Sequence, residues 1–414
     1  MSKRVCIAAV LASASAFASM SARADAVIYW NGVTLNCVQG QGAAIPANRG
    51  GPVGLLDIAL VQLAVHDAVQ AIQGRFASYE YDNDALQGIG NPEAAAAAAA
   101  FGTLVDLYGA DDPCLVGIED PADTYAGDPG LQAGDEAAAA LLPLYRPFFV
   151  LPTDPYLGGD EPGQWRPTPG STMGINTWMA ETAPFVLTSP DQFRPKPQPG
   201  LTSDVYTRDY NEVKAYGSKT STDRTPEQTD LANFWTANPI HLWFATVRSI
   251  ASAKITDPGD TARLLALVAT AAADGQIAVY ESKYYFEFWR PTTAIRFADT
   301  DGNDLTVADA TWEPYIVDPA YPDYVSGANC LATTVTKTME LFFGSNRLDF
   351  SMTSPIAGLT TNPRQYKSLS RAAEDVVDVR IWQGIHFRFA DRAGRRQGKH
   401  VAQWVFENAL QPLP

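Results

Sequence analysis

The stretch DTARLLALVATAAADGQIAVYESKYYFEFWRP, Asp260 to Pro291, decides how the rest of the chain reads. From Asp260 to Tyr284 the pattern predicts a helix. Near its end, Lys283 and Arg290 stand seven residues apart. On a helix this is about 700°, roughly 20° short of two turns, so both side chains would leave one face about 10 Å apart. Both are long enough to converge on one ligand. Pro291 predicts that the helix ends at or before Arg290. Glu287 falls on the same face and could neutralise both cations. Taken alone, the block is a solvated or salt-bridged helix face.

Outward from this helix most periodic segments are also helical. Leu55 to Ile72 carries apolar residues at three- and four-residue spacing, and Pro92 suits the start of an Ala-rich helix to Tyr108. Further helices are predicted for Gly130 to Tyr145, Asp204 to Tyr216, Glu227 to Thr236, His241 to Ala253, Ser326 to Phe343 (closed by Gly344), Asn362 to Ile385 and Asp391 to Leu410. Residues 146–200 are rich in Pro, Gly and Thr and read as a long irregular excursion. Residues 297–325 read as loop, and convincing strands are lacking. The expectation is an all-α helical bundle with long irregular loops. It divides into an N-terminal helical part with the excursion (25–200) and a C-terminal bundle (201–414).

The chain has 414 residues, 46% of them hydrophobic, which is ample for one large core or two fused halves. Residues 1–24 read as a secretory signal: Lys3 and Arg4, an apolar run from Val5 to Met20, and Ala22-Arg23-Ala24 as cleavage site. The expected location is secreted or periplasmic. Loss of the signal removes three positive charges and takes the formal net charge from −16 to −19. Such an acidic chain is a poor nucleic-acid ligand. No later segment was expected to offer about 20 consecutive apolar residues, so no membrane anchor is predicted after signal removal. Of the cysteines outside the signal, Cys37 and Cys114 lie in Gly/Asp/Pro-rich loop sequence and Cys330 in a predicted helix. Export favours oxidation, and Cys37–Cys114 is the preferred pair, with reduced thiols the alternative. Asp299-x-Asp301-x-Asn303 has calcium-loop spacing, but the glycine is misplaced at Gly302 and Ala310 stands at the twelfth position. It reads as a polar turn.

Two later blocks carry the same chemistry as Lys283 and Arg290. In Tyr324-Val-Ser326-Gly327-Ala328, serine suits a helix cap and the helix start attracts anions. Gly327 lets the backbone approach closely. In Arg380-Ile-Trp-Gln-Gly384-Ile-His386, a straight helix would set Arg380 and His386 some 120° apart. They can share a ligand only through the reach of arginine or a break near Gly384. Read singly, these are an ordinary capped helix and a packed core histidine.

In combination the blocks resemble the vanadium-dependent haloperoxidase and type 2 phosphatidic acid phosphatase superfamily, whose pattern is K-x6-R-P, then P-S-G-H, then S-R-x5-H-x3-D. Tyr285-Phe-Glu-Phe-Trp-Arg-Pro291 is similar to the vanadium chloroperoxidase branch, and Val65-His66-Asp67-Ala68 and Gly384-Ile-His-Phe-Arg388 to secreted bacterial members. The resemblance runs from about residue 26 to 411. It implies that Lys283, Arg290 and Arg380 neutralise the oxygens of a vanadate, or of phosphate in the same site. Ser326 and the Gly327 N–H would donate hydrogen bonds to it. His386 would be the catalytic histidine, bonded to vanadium or phosphorylated in a phosphatase. The implied partners are hydrogen peroxide and halide, or a phosphomonoester.

The chain departs from the pattern at Val325, Ala328, Val379 and Ala390, with Asp391 one position late. In the family the histidine at the position of Ala328 is the general acid/base, worth typically about 10²–10⁴-fold in rate. Anion binding is expected to survive and turnover to fall. His241 and Asp323 are candidate substitute acids; Asn329 can donate a hydrogen bond but not a proton. His66 is expected in the core and His400 on the surface. The reading is a secreted vanadate-dependent haloperoxidase-like protein. The alternatives are an acid phosphatase acting through phospho-His386 and a non-catalytic oxyanion-binding relative.

Overall fold

The computed structural model describes residues 25–39, 51–145 and 155–414. The signal read over residues 1–24 lies outside them. Thirteen α-helices occur among the described residues: α1 (Ala26–Gln39), α2 (Val53–Gln73), α3 (Pro92–Tyr108), α4 (Pro121–Thr124), α5 (Pro129–Tyr145), α6 (Asp204–Tyr216), α7 (Pro226–Phe234), α8 (Pro239–Lys254), α9 (Pro258–Phe286), α10 (Pro291–Arg296), α11 (Gly327–Phe343), α12 (Leu369–Trp382) and α13 (Arg388–Asn408). A single short hairpin, β1 (Phe350–Met352) with β2 (Arg364–Tyr366), pairs antiparallel with Phe350 opposite Tyr366. The fold is all-α.

Helix α9 is the axis. It packs on α2 on one side and on α11 and α13 on the other. One apolar core runs from Ala26 to Leu410 and so crosses both parts of the chain. Helices α2 and α9 correct one expectation: both are long and apolar enough to cross a membrane. Other helices enclose them, so that apolar surface is spent on the core. The Ala run of α3 lets α5 approach until a Cβ on Gly134 would lie 2.5 Å from that of Ala98. Cys37 of α1 and Cys114 of the loop after α3 form a disulfide, and Cys330 is a buried free thiol.

Buried carboxylates on the helices fasten the irregular segments. Asp67 accepts the N–H groups of Tyr79, Glu80 and Tyr81 at 2.7–2.9 Å. Asp274 of α9 accepts those of Phe185, Val186 and Leu187 at 2.7–3.0 Å. The excursion, described from residue 155, is thus stitched to the central helix, and its only regular piece there is a short 3₁₀ turn at Thr177–Glu181. The Asp299–Asn303 stretch is a polar turn: Asp301 accepts the Asn303 N–H and the Thr306 hydroxyl.

Helix α9 ends close to the predicted Tyr284, whereas the start of α12 and the whole of α1 differ from expectation. Helix α9 stops at Phe286, because Glu287 adopts φ 50° and caps it with its N–H on the Lys283 carbonyl. Arg290 then caps the separate short helix α10, with Pro291 at its first position. The segment predicted as helix from Asn362 begins instead as strand β2; α12 starts only at Leu369, after Pro363 and the paired edge. The α1 segment, Ala26–Gln39, was not anticipated as a helix.

His66 lies in the core as expected, wholly buried on α2, its Nε2–H donating to the Ala77 carbonyl at 3.1 Å. Burial lowers its pKa from 6.5 to about 4. A lowered histidine pKa means that the unfolded chain takes up the proton first. Stability is therefore full above pH 6.5 and falls as the pH drops towards 4, by up to about 3 kcal/mol. In urea unfolding at pH 7 and pH 4.5, His66→Gln is expected to lose this part of the pH slope. An unchanged slope would remove His66 as its source.

Candidate active site

The broken end of α9, the start of α11 and the end of α12 meet at a cavity of about 570 Å³. Its polar wall includes Lys283, Arg380, His386, Gly327, Gln276 and Asn238; its apolar wall includes Trp235, Trp243, Ile240 and Leu331. Lys283 and Arg290 do not leave one helix face, as their spacing suggested; Lys283 lines the cavity, and Arg290 lies beside His386 behind the wall. The turn at Glu287 and the extended residues after it carry Arg290 back beside His386. Glu287 faces Tyr156 and leaves both cations unneutralised.

Both cations are buried and held by main-chain carbonyls. Lys283 Nζ donates to Pro322 O at 2.7 Å and Asp323 O at 3.0 Å. Arg290 donates from Nε to Tyr321 O at 2.9 Å and from Nη1 to Ile385 O at 2.6 Å, with Nη1 also 3.4 Å from His386 Nε2. Each lies 5.0 Å from the centre of the Tyr321 ring. Arg380 donates from Nη1 to Gln383 Oε1 at 2.7 Å, while its buried Nε has no partner. The chain turns at Gly384, φ 80°, where a Cβ would lie 2.3 Å from Gly217 O. This break brings His386 back towards Arg380, which a straight helix would not do.

His386 Nδ1 lies 2.6 Å from Asp323 Oδ1. The carboxylate accepts the Nδ1 proton, which leaves the Nε2 lone pair beside Arg290. Burial and then Arg290, Lys283 and Arg380 hold the imidazole well below its usual pKa, so the ring is neutral at pH 7. Burial pushes Asp323 up to about 7, against the pull of Arg290 and Lys283. Burial, then Arg290, depresses Lys283 well below an ordinary lysine. The result is a cluster of cationic side chains around a neutral imidazole nitrogen.

Four predicted site residues, Arg290, Asp323, His241 and Ser326, lie outside the cavity wall. Asp323, a candidate acid, is the hydrogen-bond partner of His386. His241 is half-buried on the first turn of α8, with Gln39 Nε2 at 2.5 Å from its Nδ1; it is not in the cavity wall, although its neighbours Pro239 and Ile240 are. Ser326 precedes α11 but does not cap it through its side chain. Its hydroxyl accepts from Asn329 Nδ2 at 3.2 Å, and it lies behind the wall rather than on it. Asn329 also donates to Asp391 Oδ1 at 2.8 Å. Asn329, which follows Ala328, and Asp391, one position later than the family's aspartate, are therefore in contact. No sequence signal linked them, since 62 residues separate them. Ala328 does face the cavity.

Replacing Asp323 by asparagine keeps its size and one acceptor oxygen but removes the negative charge that holds the His386 Nδ1 proton and puts an N–H donor in place of the other oxygen. Such partners of ligating histidines are typically worth about 10–100-fold in affinity. Asp323→Asn is expected to weaken vanadate binding by about that factor, read by calorimetric titration. Equal affinity would show that Asp323 does not orient His386.

Residues 263–413 match the VCPO second helical-bundle domain. A comparison with curated protein sequences gives no match. Among solved structures the chain is similar to a bacterial vanadium-dependent iodoperoxidase, with TM-score 0.68 and 24% identity over 94% of this chain and 96% of that one. It is also similar to a bacterial vanadium-dependent chloroperoxidase. The holo form gives TM-score 0.74 and 16% identity over 93% and 97% of the two chains; the apo form gives 0.70 and 16% over 89% and 95%. The chain has the helical-bundle fold of the vanadium haloperoxidase superfamily.

Proposed function

We propose that the cavity holds vanadate and that the chain is an exported, vanadate-dependent haloperoxidase with weakened proton transfer. One observation carries this reading. Lys283 and Arg290 are buried and Arg380 is partly buried around a neutral histidine, and the nearest carboxylates, Asp323 and Asp391, are themselves driven towards protonation by burial. A buried excess of positive charge is costly unless an anion completes it. The unpartnered Arg380 Nε and the free N–H groups at the start of α11 suit its oxygens. His386 Nε2 would hold the metal. Phosphate suits the same donors.

Bound vanadate would supply a Lewis-acid centre that activates peroxide for halide oxidation. The chain's own contribution is preorganisation. Asp323 fixes the His386 tautomer; Tyr321 and the main-chain carbonyls fix the cations; Trp235, Trp243 and Leu331 keep one wall dry. At the position where the superfamily places a histidine, Ala328 can neither give nor take a proton. The Cys37–Cys114 disulfide supports an oxidising compartment.

The test is halide oxidation with hydrogen peroxide, with and without added vanadate, beside phosphate release from an aryl phosphate on the same sample. Vanadate-dependent halide oxidation is expected. Phosphate release blocked by vanadate, with no halide oxidation, would assign the site to phosphomonoester chemistry. Neither activity would leave an oxyanion-binding protein.

A further inference from the structure

A second cleft, of about 820 Å³, opens between the strap 192–199 and helix α13 and shares no lining residue with the oxyanion cavity. We propose that it binds a small organic polyanion: an aromatic or otherwise apolar body bearing two or more sulfonate, sulfate, phosphate or carboxylate groups.

The charge pattern is the first argument. The chain carries a formal charge of −16, yet Arg194, Lys196, Arg208, Arg392 and Arg396 all line this cleft. The only carboxylate in the wall, Asp209, is already engaged. Its Oδ2 accepts the Phe389 N–H at 2.7 Å and its Oδ1 accepts Arg208 Nε at 2.8 Å. Arg194 is held by Glu281. That leaves Lys196, Arg392 and Arg396, none of which has an ion-pair partner among the described residues. On the same helix Arg388 and Arg395 do have carboxylate partners, Glu212 with Asp378 and Glu374. On α13, Arg392 and Arg396 line the cleft without a carboxylate partner, and Lys399, also without an ion pair among the described residues, lies outside its lining.

Spacing is the second argument. Arg392, Arg396 and His400 follow one another at four residues on α13, so they form one stripe. Like charges at this spacing repel and destabilise a helix. An anion between them reverses the sign of that interaction.

The cleft also has an apolar floor. Tyr324 and Phe389 pack with ring centres 6.1 Å apart, and Phe193 lies 5.7 Å from the His400 ring. Pro195, Pro197 and Pro199 stiffen the opposite wall, which is tied down where the Tyr324 hydroxyl donates to Lys196 O at 2.7 Å. Cations on both walls over an aromatic floor, in a volume typical of small-molecule sites, suit an amphiphilic anion better than a bare inorganic one. The strongly acidic remainder of the surface disfavours extended nucleic acid and anionic membranes.

The probe is 8-hydroxypyrene-1,3,6-trisulfonate, followed by fluorescence anisotropy on the full chain at low and high salt. Saturable binding is expected, weakened by salt and by at least about 10-fold in Arg392→Glu/Arg396→Glu, the loss of one to two charge-assisted contacts. Lys196→Glu, on the opposite wall and exposed, should weaken it in the same direction, and His386→Ala should leave it unchanged. Absence of binding by the unmodified chain, equal binding by the charge-reversed variants, or loss of binding in His386→Ala would each overturn the proposal. So would a short single-stranded oligonucleotide that binds more tightly than the trisulfonate.

Discussion

His386→Ala is expected to abolish vanadate binding, with a loss well beyond the roughly 10–100-fold typical of an outer partner such as Asp323. The expectation follows from what alanine removes and what it leaves. It removes the only nitrogen ligand in the cavity wall and the acceptor beside Arg290 Nη1. It leaves Asp323 buried without its strongest partner, next to Lys283 and Arg290. That carboxylate would then neutralise the cations itself and compete with any incoming anion. The fold is expected to survive, because the Arg290 and Lys283 contacts to main-chain carbonyls do not pass through His386. Calorimetric titration with orthovanadate reads the loss directly. Unchanged affinity would mean that the anion binds elsewhere.

The opposite effect is expected from Ala328→His. Ala328 lies on the cavity surface, one residue after Gly327 and on the first turn of α11. An imidazole there enters open volume rather than packed core. It restores a group that can move a proton next to the anion, typically worth about 10²–10⁴-fold. The gain should appear in kcat for whichever reaction the chain performs, with vanadate affinity little changed. No gain would show that another group already carries the proton. Among the cavity-lining residues, Thr236, Tyr280 and Tyr321 offer further hydroxyl protons.

The bundle was legible because its helices are long and its signals local. Pro92 begins α3, Gly344 in the left-handed region ends α11, and apolar spacing marks the rest. Failures came where a local preference met a longer-range constraint. Pro363 with the β1–β2 pairing displaced the start of α12, and Glu287 in a positive-φ conformation turned the chain between Lys283 and Arg290, which no propensity for glutamate foretells. Within the site, the resemblance to the family pattern is what grouped Lys283, Arg380, Gly327 and His386, and their spacing gave the wrong route for Lys283 and Arg290. Asp323 was noticed for its nearness to Ala328 in sequence, whereas its partner is 63 residues away. The Asn329–Asp391 contact left no trace in either segment. Side chains paired across the fold are invisible to spacing, and here they are the ones that orient the ligand groups.

The central claim is that His386, the buried Lys283 and Arg290 and the partly buried Arg380 form one oxyanion site. A crystal structure of the vanadate-soaked protein tests it most directly. The account predicts one vanadate per chain, bonded to His386 Nε2, with Lys283, Arg290 and Arg380 around its oxygens. Vanadate bound at another position, or a cavity that stays free of it at saturating concentration, would contradict the account.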